Sequence, residues 1–279
     1  MMRGKPMVRA RLGLAVGFSI LSLGGAQAAP AWQPIAAENL LVIDSTKGRI
    51  IVELRPDMAP AHVARVQTLT REGFYDGLHF HRVIDGFMAQ TGDPTNQDDG
   101  RSAYPDLKAE FTFRRSVDQP LVVAAQPTGA VLGLMGSVPV QTQPNRVMAW
   151  TGDHKASAWG LYCPGVVGAG RNDKENSANS EFFLMRQAYP ALDKRYTVWG
   201  RVVVGLSVVR ALKTGEPVQD PDRMETVRLM ADLPKAQQRR ISLPTPSSPI
   251  WTRLISKARL AKGADFSVCD IEVPVRVSR

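Results

Sequence analysis

"FHRVIDGFMAQTGD" spans Phe80 to Asp93. Two apolar runs, Leu78 to Ile84 and Phe87 to Thr91, flank Asp85-Gly86. Asp-Gly between two such runs is a strong short-range hairpin signal, because Gly tolerates the positive φ that a tight turn needs. Yet Arg82 and Gln90 stand among the large apolar side chains. A strict two-residue turn pairs Ile84 with Phe87 and Arg82 with Ala89. Alternation then puts Phe87 on the face of Arg82, and Met88 and Gln90 on the other.

Outward from this hairpin the chain reads as short strands. Leu40 to Asp44 and Arg49 to Leu54 are Ile/Val-rich runs around Ser45-Thr46-Lys47-Gly48, a second hairpin. Val63, Val66, Gln67 and Thr70 have helical spacing, with Pro60 suited to the first turn and Gly73 to the end. From Val117 to Pro164 the texture changes to Gly, Gln, Pro and Val, which predicts strands and turns. Glu181–Met185, Thr197–Val203 and Met224–Met230 read as strands, and Leu206–Lys213 as a short helix. Ser242 to Pro249 is a Pro/Ser-rich linker. Trp251, Leu254, Ile255 and Ala258 then have helical spacing with basic neighbours. Such a helix serves a membrane surface or a partner, or docks on its own domain; docking is the simpler reading. Phe266 to Val277 reads as a last strand. Many short strands and few helices predict a mainly β sandwich or barrel.

"YDGLHFHRVIDGFMAQTGDPT", "NSANSEFFLM" and "PALDKRYTVWGRVVVG", in this order, resemble a bacterial, exported cyclophilin-type peptidyl-prolyl cis-trans isomerase over about Leu40 to Asp232. The resemblance implies a closed eight-stranded antiparallel β-barrel capped by two helices. Together with the N-terminal leader described below, it divides the chain into a signal peptide (1–28), an isomerase domain (33–232) with an insertion at about 117–164, and a C-terminal extension (233–279). It implies that Arg82 is catalytic and that Gln90 buttresses it. Phe87, Met88, Phe183 and Leu192 are implied as the proline pocket, Tyr196 as its rim, and Gly170-Arg171 as backbone that contacts substrate. Glu181 departs from the family's usual Gln. Ala191 departs from the Trp of many eukaryotic members, which predicts weaker binding of cyclosporin-class inhibitors. Since the resemblance places Arg82, Phe87, Met88 and Gln90 on one groove, a bulge or a wider turn is expected at Asp85-Gly86.

The chemistry suits these residue types. Isomerisation of an X-Pro amide crosses a barrier of about 18–20 kcal/mol by twisting about C–N. No bond breaks, so neither cofactor nor metal is implied. The twisted proline nitrogen is a better hydrogen-bond acceptor, and a fixed guanidinium beside an apolar pocket supplies donors. The partners expected are proline-containing polypeptides. The alternative is a Pro-peptide binding module or chaperone with weak or no turnover, motivated by Glu181, Ala191, Gly170 and the insertion.

Composition excludes other classes. Arg3, Lys5, Arg9 and Arg11 precede an apolar run, Leu12 to Leu23, and Ala26-Gln27-Ala28, the layout of a cleaved secretory signal. Export, most simply to the periplasm, is expected, with no membrane span left after cleavage. Removing four of 35 Lys+Arg and none of 26 Asp+Glu leaves 31 − 26 = +5. The remaining basic residues are scattered, which argues against nucleic acid. A monomer is expected. Cys163 and Cys269 are the two cysteines. Taken alone they read equally as a disulfide or as two buried thiols. With one on the insertion and one on the tail, a staple between those two parts is expected. His79 and His81 lack a third metal ligand, Asp173 and Glu175 sit in a polar loop, and His154 has no nucleophile nearby, so these read as ordinary side chains.

Overall fold

The computed structural model describes residues 1, 2, 4, 31–97 and 100–279. The expected signal peptide therefore lies outside the described residues, apart from those three positions. Ala31–Arg279 forms one unit.

Its strands and helices run β1 (Trp32–Pro34), β2 (Leu40–Ser45), β3 (Gly48–Leu54), α1 (Pro60–Arg71), β4 (Arg82–Val83) and β5 (Met88–Thr91). Then come β6 (Phe113–Arg115), β7 (Val122–Ala125), β8 (Val131–Met135), β9 (Val138–Thr142) and β10 (Ala156–Gly160). They are followed by β11 (Val166–Ala169), β12 (Phe182–Met185), β13 (Val198–Val204), α2 (Leu206–Ala211) and β14 (Met224–Leu229). The chain ends with β15 (Arg240–Pro244), α3 (Pro249–Lys262) and β16 (Arg276–Ser278).

Eight strands form one antiparallel sheet in the order β14-β2-β3-β13-β11-β12-β5-β4. Leu41, Ile43, Ile50, Val52, Leu54 and Trp199 point to one face and meet Val63, Val66 and Leu69 of α1. The opposite face is also apolar. Leu40, Val42 and Ile51 are covered by Ile241 of β15. Cover on both faces explains why "LLVI" and "IIVEL" read as unbroken apolar runs instead of alternating. Helix α1 starts at Pro60, whose missing N–H costs nothing there. Its next two amides, Ala61 and His62, donate to the carboxylate of Glu110 at 3.1 Å each. The His62 ring nitrogen sits 2.6 Å from the same carboxylate.

The hairpin of the opening stretch has the wider turn. Arg82 pairs with Gln90 and Val83 with Ala89, and Ile84 N donates to Met88 O at 2.9 Å. Three residues, Asp85 to Phe87, make the loop, with Gly86 at φ 66°. This register puts Arg82, Met88 and Gln90 on one face, while Val83 and Ala89 join the core on the other.

The closed barrel of the resemblance is corrected to a curled eight-stranded sheet with few helices. Its edge strands β4 and β14 share no ladder. Between them lie turns and isolated bridges, such as His79 with Arg223. Gly77 at φ 79° bends the chain before β4, and Pro221 has no N–H to donate. The expected strand at Leu78 to Ile84 is correspondingly only two residues long.

A second sheet, β6-β10-β9-β8-β7, spans Phe113 to Gly160 and so starts before the expected insertion. Its β8–β9 turn meets β3 and β13 through charge. The Glu53 carboxylate accepts from Ser137 N at 2.8 Å and from the Ser137 hydroxyl. Arg201 Nη1 donates to Ser137 O at 2.7 Å. Arg55 donates to Met135 O and pairs with Asp57 at 2.6 Å. Burial pulls Arg201 down to about 10, against the pull of Glu53.

The tail docks beside this sheet. Trp251, Ala258, Val268 and Ile271 share a core with Met88, Leu134, Val140 and Phe183. Ser248 caps α3 by accepting from Ile250 N at 3.4 Å. The expected strand over Phe266 to Val277 is corrected: only Arg276–Ser278 pairs, with β15. Ser267 and Asp270 form a reciprocal capping box around a 3-10 turn at Val268–Asp270, which takes that backbone out of extended geometry. Cys163 and Cys269 are bonded, with Cα atoms 5.0 Å apart and a sequence separation of 106. Among the described residues no helix is long and apolar enough to cross a membrane.

Candidate active site

Alternation on β12 builds the floor of the site. Phe182 and Leu184 turn into the sheet's core, and Phe183 and Met185 turn outward. The Phe183 ring stacks on Tyr162 with centroids 5.7 Å apart, and Tyr196 meets it edge-on at 5.8 Å. Gly168 makes this possible, since a Cβ there would lie 2.5 Å from the Tyr162 hydroxyl and 2.6 Å from the Phe183 ring. Leu192 closes another side from a 3-10 turn, Pro190–Leu192. Phe87, at the end of the hairpin loop, packs on Tyr189 at 4.6 Å.

A cavity of about 260 Å³ results, lined by Arg82, Phe87, Met88, Gln90, Gly170, Arg171, Phe183, Leu192 and Tyr196. These are the nine groove residues that the sequence resemblance implied, and the fold brings all of them together. Phe183 and Met88 are buried, whereas Arg82 is partly open to solvent.

Polar contacts fix the guanidinium. Arg82 Nη1 donates to Gln90 Oε1 at 3.3 Å, and Arg82 Nε donates to the carboxylate of Glu216. Gln90 Nε2 donates to Glu181 Oε2 at 2.6 Å. That carboxylate accepts only, so it orients the amide with its oxygen toward Arg82. On the other wall Arg171 lies over the Tyr196 ring, 4.3 Å from its centroid, and donates to Arg195 O at 3.0 Å. Behind the floor, burial pushes the Asp193 carboxyl up to about 6, although it accepts from Tyr162 N at 2.9 Å. Burial also holds the Tyr162 hydroxyl well above its ordinary range.

No local pattern in the sequence points to Glu216 or Tyr189. Glu216 lies 134 residues from Arg82 in a Pro/Gly loop, and no spacing signals it. His79, His154, Asp173 and Glu175 lie outside the cavity lining. Among the described residues no three His, Cys, Asp or Glu cluster as metal ligands.

The family model for cyclophilin type peptidyl-prolyl cis-trans isomerases matches residues 40–231. A probable peptidyl-prolyl cis-trans isomerase of Brucella suis is 36% identical over 234 residues, covering 78% of this chain and 94% of the relative. The peptidyl-prolyl cis-trans isomerase CYP71 of Arabidopsis thaliana is 29% identical, covering 66% of this chain and 23% of the relative. The crystal structure of the cyclophilin AquaCyp293 from Hirschia baltica superposes with a TM-score of 0.81 at 31% identity, covering 88% of this chain and 93% of that one. With its groove and its matched span, the chain belongs to the cyclophilin-type peptidyl-prolyl cis-trans isomerases.

Proposed function

We propose that the chain isomerises X-Pro bonds of exported polypeptides, and that Arg82 is the catalytic donor. The observation that carries this is the guanidinium held at the mouth of an apolar cavity. Two of its nitrogens are engaged by Glu216 and Gln90, which leaves Nη2 to face substrate. The proline ring sits on Phe183 among Phe87, Met88, Leu192 and Tyr196. Gly170 and Arg171 present backbone to the neighbouring residues. As the amide twists, its nitrogen regains a localised lone pair, which Arg82 stabilises more than it stabilises the planar form. A 10⁵-fold gain needs about 7 kcal/mol, within reach of one preorganised cation plus desolvation.

The groove is complete within one chain, which supports a monomer as the working unit. The matched span 40–231 supports an isomerase domain at about 33–232, with the insertion and the extension as additions. Periplasmic export rests on the basic and apolar N-terminus and on a disulfide suited to an oxidising compartment.

The test is isomerisation of an X-Pro peptide by the mature protein and by Arg82→Ala. Loss of one preorganised donor is expected to cost about 10²–10³ in kcat/KM. Equal rates in both proteins would remove Arg82 from the mechanism. No turnover in either, with Pro-peptide binding retained, would make the chain a binding module.

A further inference from the structure

The β6–β10 sheet carries an open cavity of about 610 Å³ whose lining includes Arg115, Val117, Gln119, Pro127, Asn145 and Arg146. The full lining holds two arginines and no Asp or Glu. Arg115 is only 2% exposed. Its guanidinium donates to neutral oxygens alone: Thr142 Oγ1 at 3.2 Å, Ser116 O at 3.3 Å, and Asn145 Oδ1.

The two other buried arginines among the described residues, Arg186 and Arg201, and the half-buried Arg55 face acids. Arg186 lies 3.2 Å from Asp85, Arg55 lies 2.6 Å from Asp57, and Arg201 sits in the field of Glu53. Among the described residues, Arg115 is the buried arginine with no carboxylate against it. Burial lowers its pKa, and no acid opposes that effect. Its neighbour Arg114 is paired with Asp153 at 2.6 Å, so that acid is already engaged. A guanidinium has five N–H donors, and three bonds leave one free on each terminal nitrogen. Such a fork matches the two oxygens of a carboxylate. The cavity rim is apolar and accessible, with Val117 66% and Val123 43% exposed.

We propose that this cavity is a second binding site, separate from the proline groove, which takes an acidic side chain of an extended polypeptide. The carboxylate meets Arg115 and Arg146, and the flanking apolar residues lie over Val117, Val123 and Pro127. The free valines beside the cations favour a peptide over a small free acid.

The probe is the proline-free peptide acetyl-Ala-Val-Glu-Val-Ala-amide, read by calorimetry and by amide NMR shifts on the whole mature chain. Saturable binding is expected, with shifts confined to residues 115–146 and undisturbed by Arg82→Ala. Arg146→Glu, at an exposed position, is expected to weaken binding at least about tenfold with Tm unchanged. Arg115→Met is expected to abolish it while leaving isomerisation of short peptides intact. Should Arg115→Met fail to fold, Arg146→Glu and a peptide with Gln for Glu decide. No saturation at millimolar peptide, equal affinity for the Gln peptide, no effect of Arg146→Glu, or glutarate binding as tightly as the peptide would each overturn the proposal.

Discussion

The two large sheets are held in different ways. The eight-stranded sheet curls over an apolar core in which Leu41, Ile50, Val52, Phe182 and Trp199 are almost wholly buried. Such a core draws on apolar area, and no single polar bond decides it. The five-stranded sheet also has apolar neighbours, but its β8–β9 turn is fixed by Glu53, Arg55 and Arg201. The tail beside it is tied by Cys163–Cys269. The contrast teaches where the molecule is brittle. Buried charges are costly when one partner is lost, while an apolar core degrades gradually. The groove draws on both regions: Arg82, Gln90 and Phe183 come from the first sheet, and Tyr162, just after β10, supports Phe183 from behind.

The largest effect should come from Glu53→Ala. It leaves Arg201 buried without its acid and Ser137 N without an acceptor, a loss of about 3–5 kcal/mol. Urea unfolding monitored by tryptophan fluorescence measures it, with amide exchange to show which sheet loosens. A loss below about 1 kcal/mol would mean that the turn is held by its apolar contacts, and the contrast would fail.

Reduction of Cys163–Cys269 should come next, at about 2–4 kcal/mol, the usual range for a disulfide. The loss should fall on the tail. Amide exchange should rise through α3 and the 3-10 turn at Val268–Asp270, while β2, β3, β13 and β14 stay protected. Uniform acceleration across the chain would show one cooperative unit in place of two regions.

Legibility in the sequence follows the same divide. Local signals carried the Leu40–Leu54 hairpin, α1 and the Asp-Gly turn, since periodicity and turn chemistry act within a few residues. The nine groove residues came from the resemblance, and the wider turn at Asp85-Gly86 followed from requiring one groove. Partners distant in the chain left no local trace. Glu216 reaches Arg82 from 134 residues away, and Glu110 caps α1 from about 49. The tail misled for another reason. Its apolar content suggests a strand, while Ser267 and Asp270, at capping-box spacing, specify a turn that overrides it. Arg115 sits in a β-rich stretch and finds its partners Thr142 and Asn145 27 and 30 residues further along the chain.

The smallest effect lies where the regions meet. Asp193 follows Leu192 of the groove and accepts from Tyr162 N at 2.9 Å. Burial raises its carboxyl from 3.8 to about 6. The native state therefore favours the protonated form more than the unfolded chain does. Its favourable contribution is full below about pH 3.8 and is lost as pH rises through about 6, a span of about 1–3 kcal/mol. Glu110 is shifted the other way, since its bonds to His62 and the α1 amides outweigh its burial, so it erodes stability only at lower pH. The difference between wild type and Asp193→Asn cancels Glu110 and every other group. The asparagine keeps an oxygen for Tyr162 N but carries no charge. The variant should gain stability relative to wild type as pH rises from about 4, with the gap widening to about pH 6 and level above it. Parallel profiles from urea midpoints across that range would show that Asp193 is solvated in solution, and that the joint between the sheets is wetter than its packing implies.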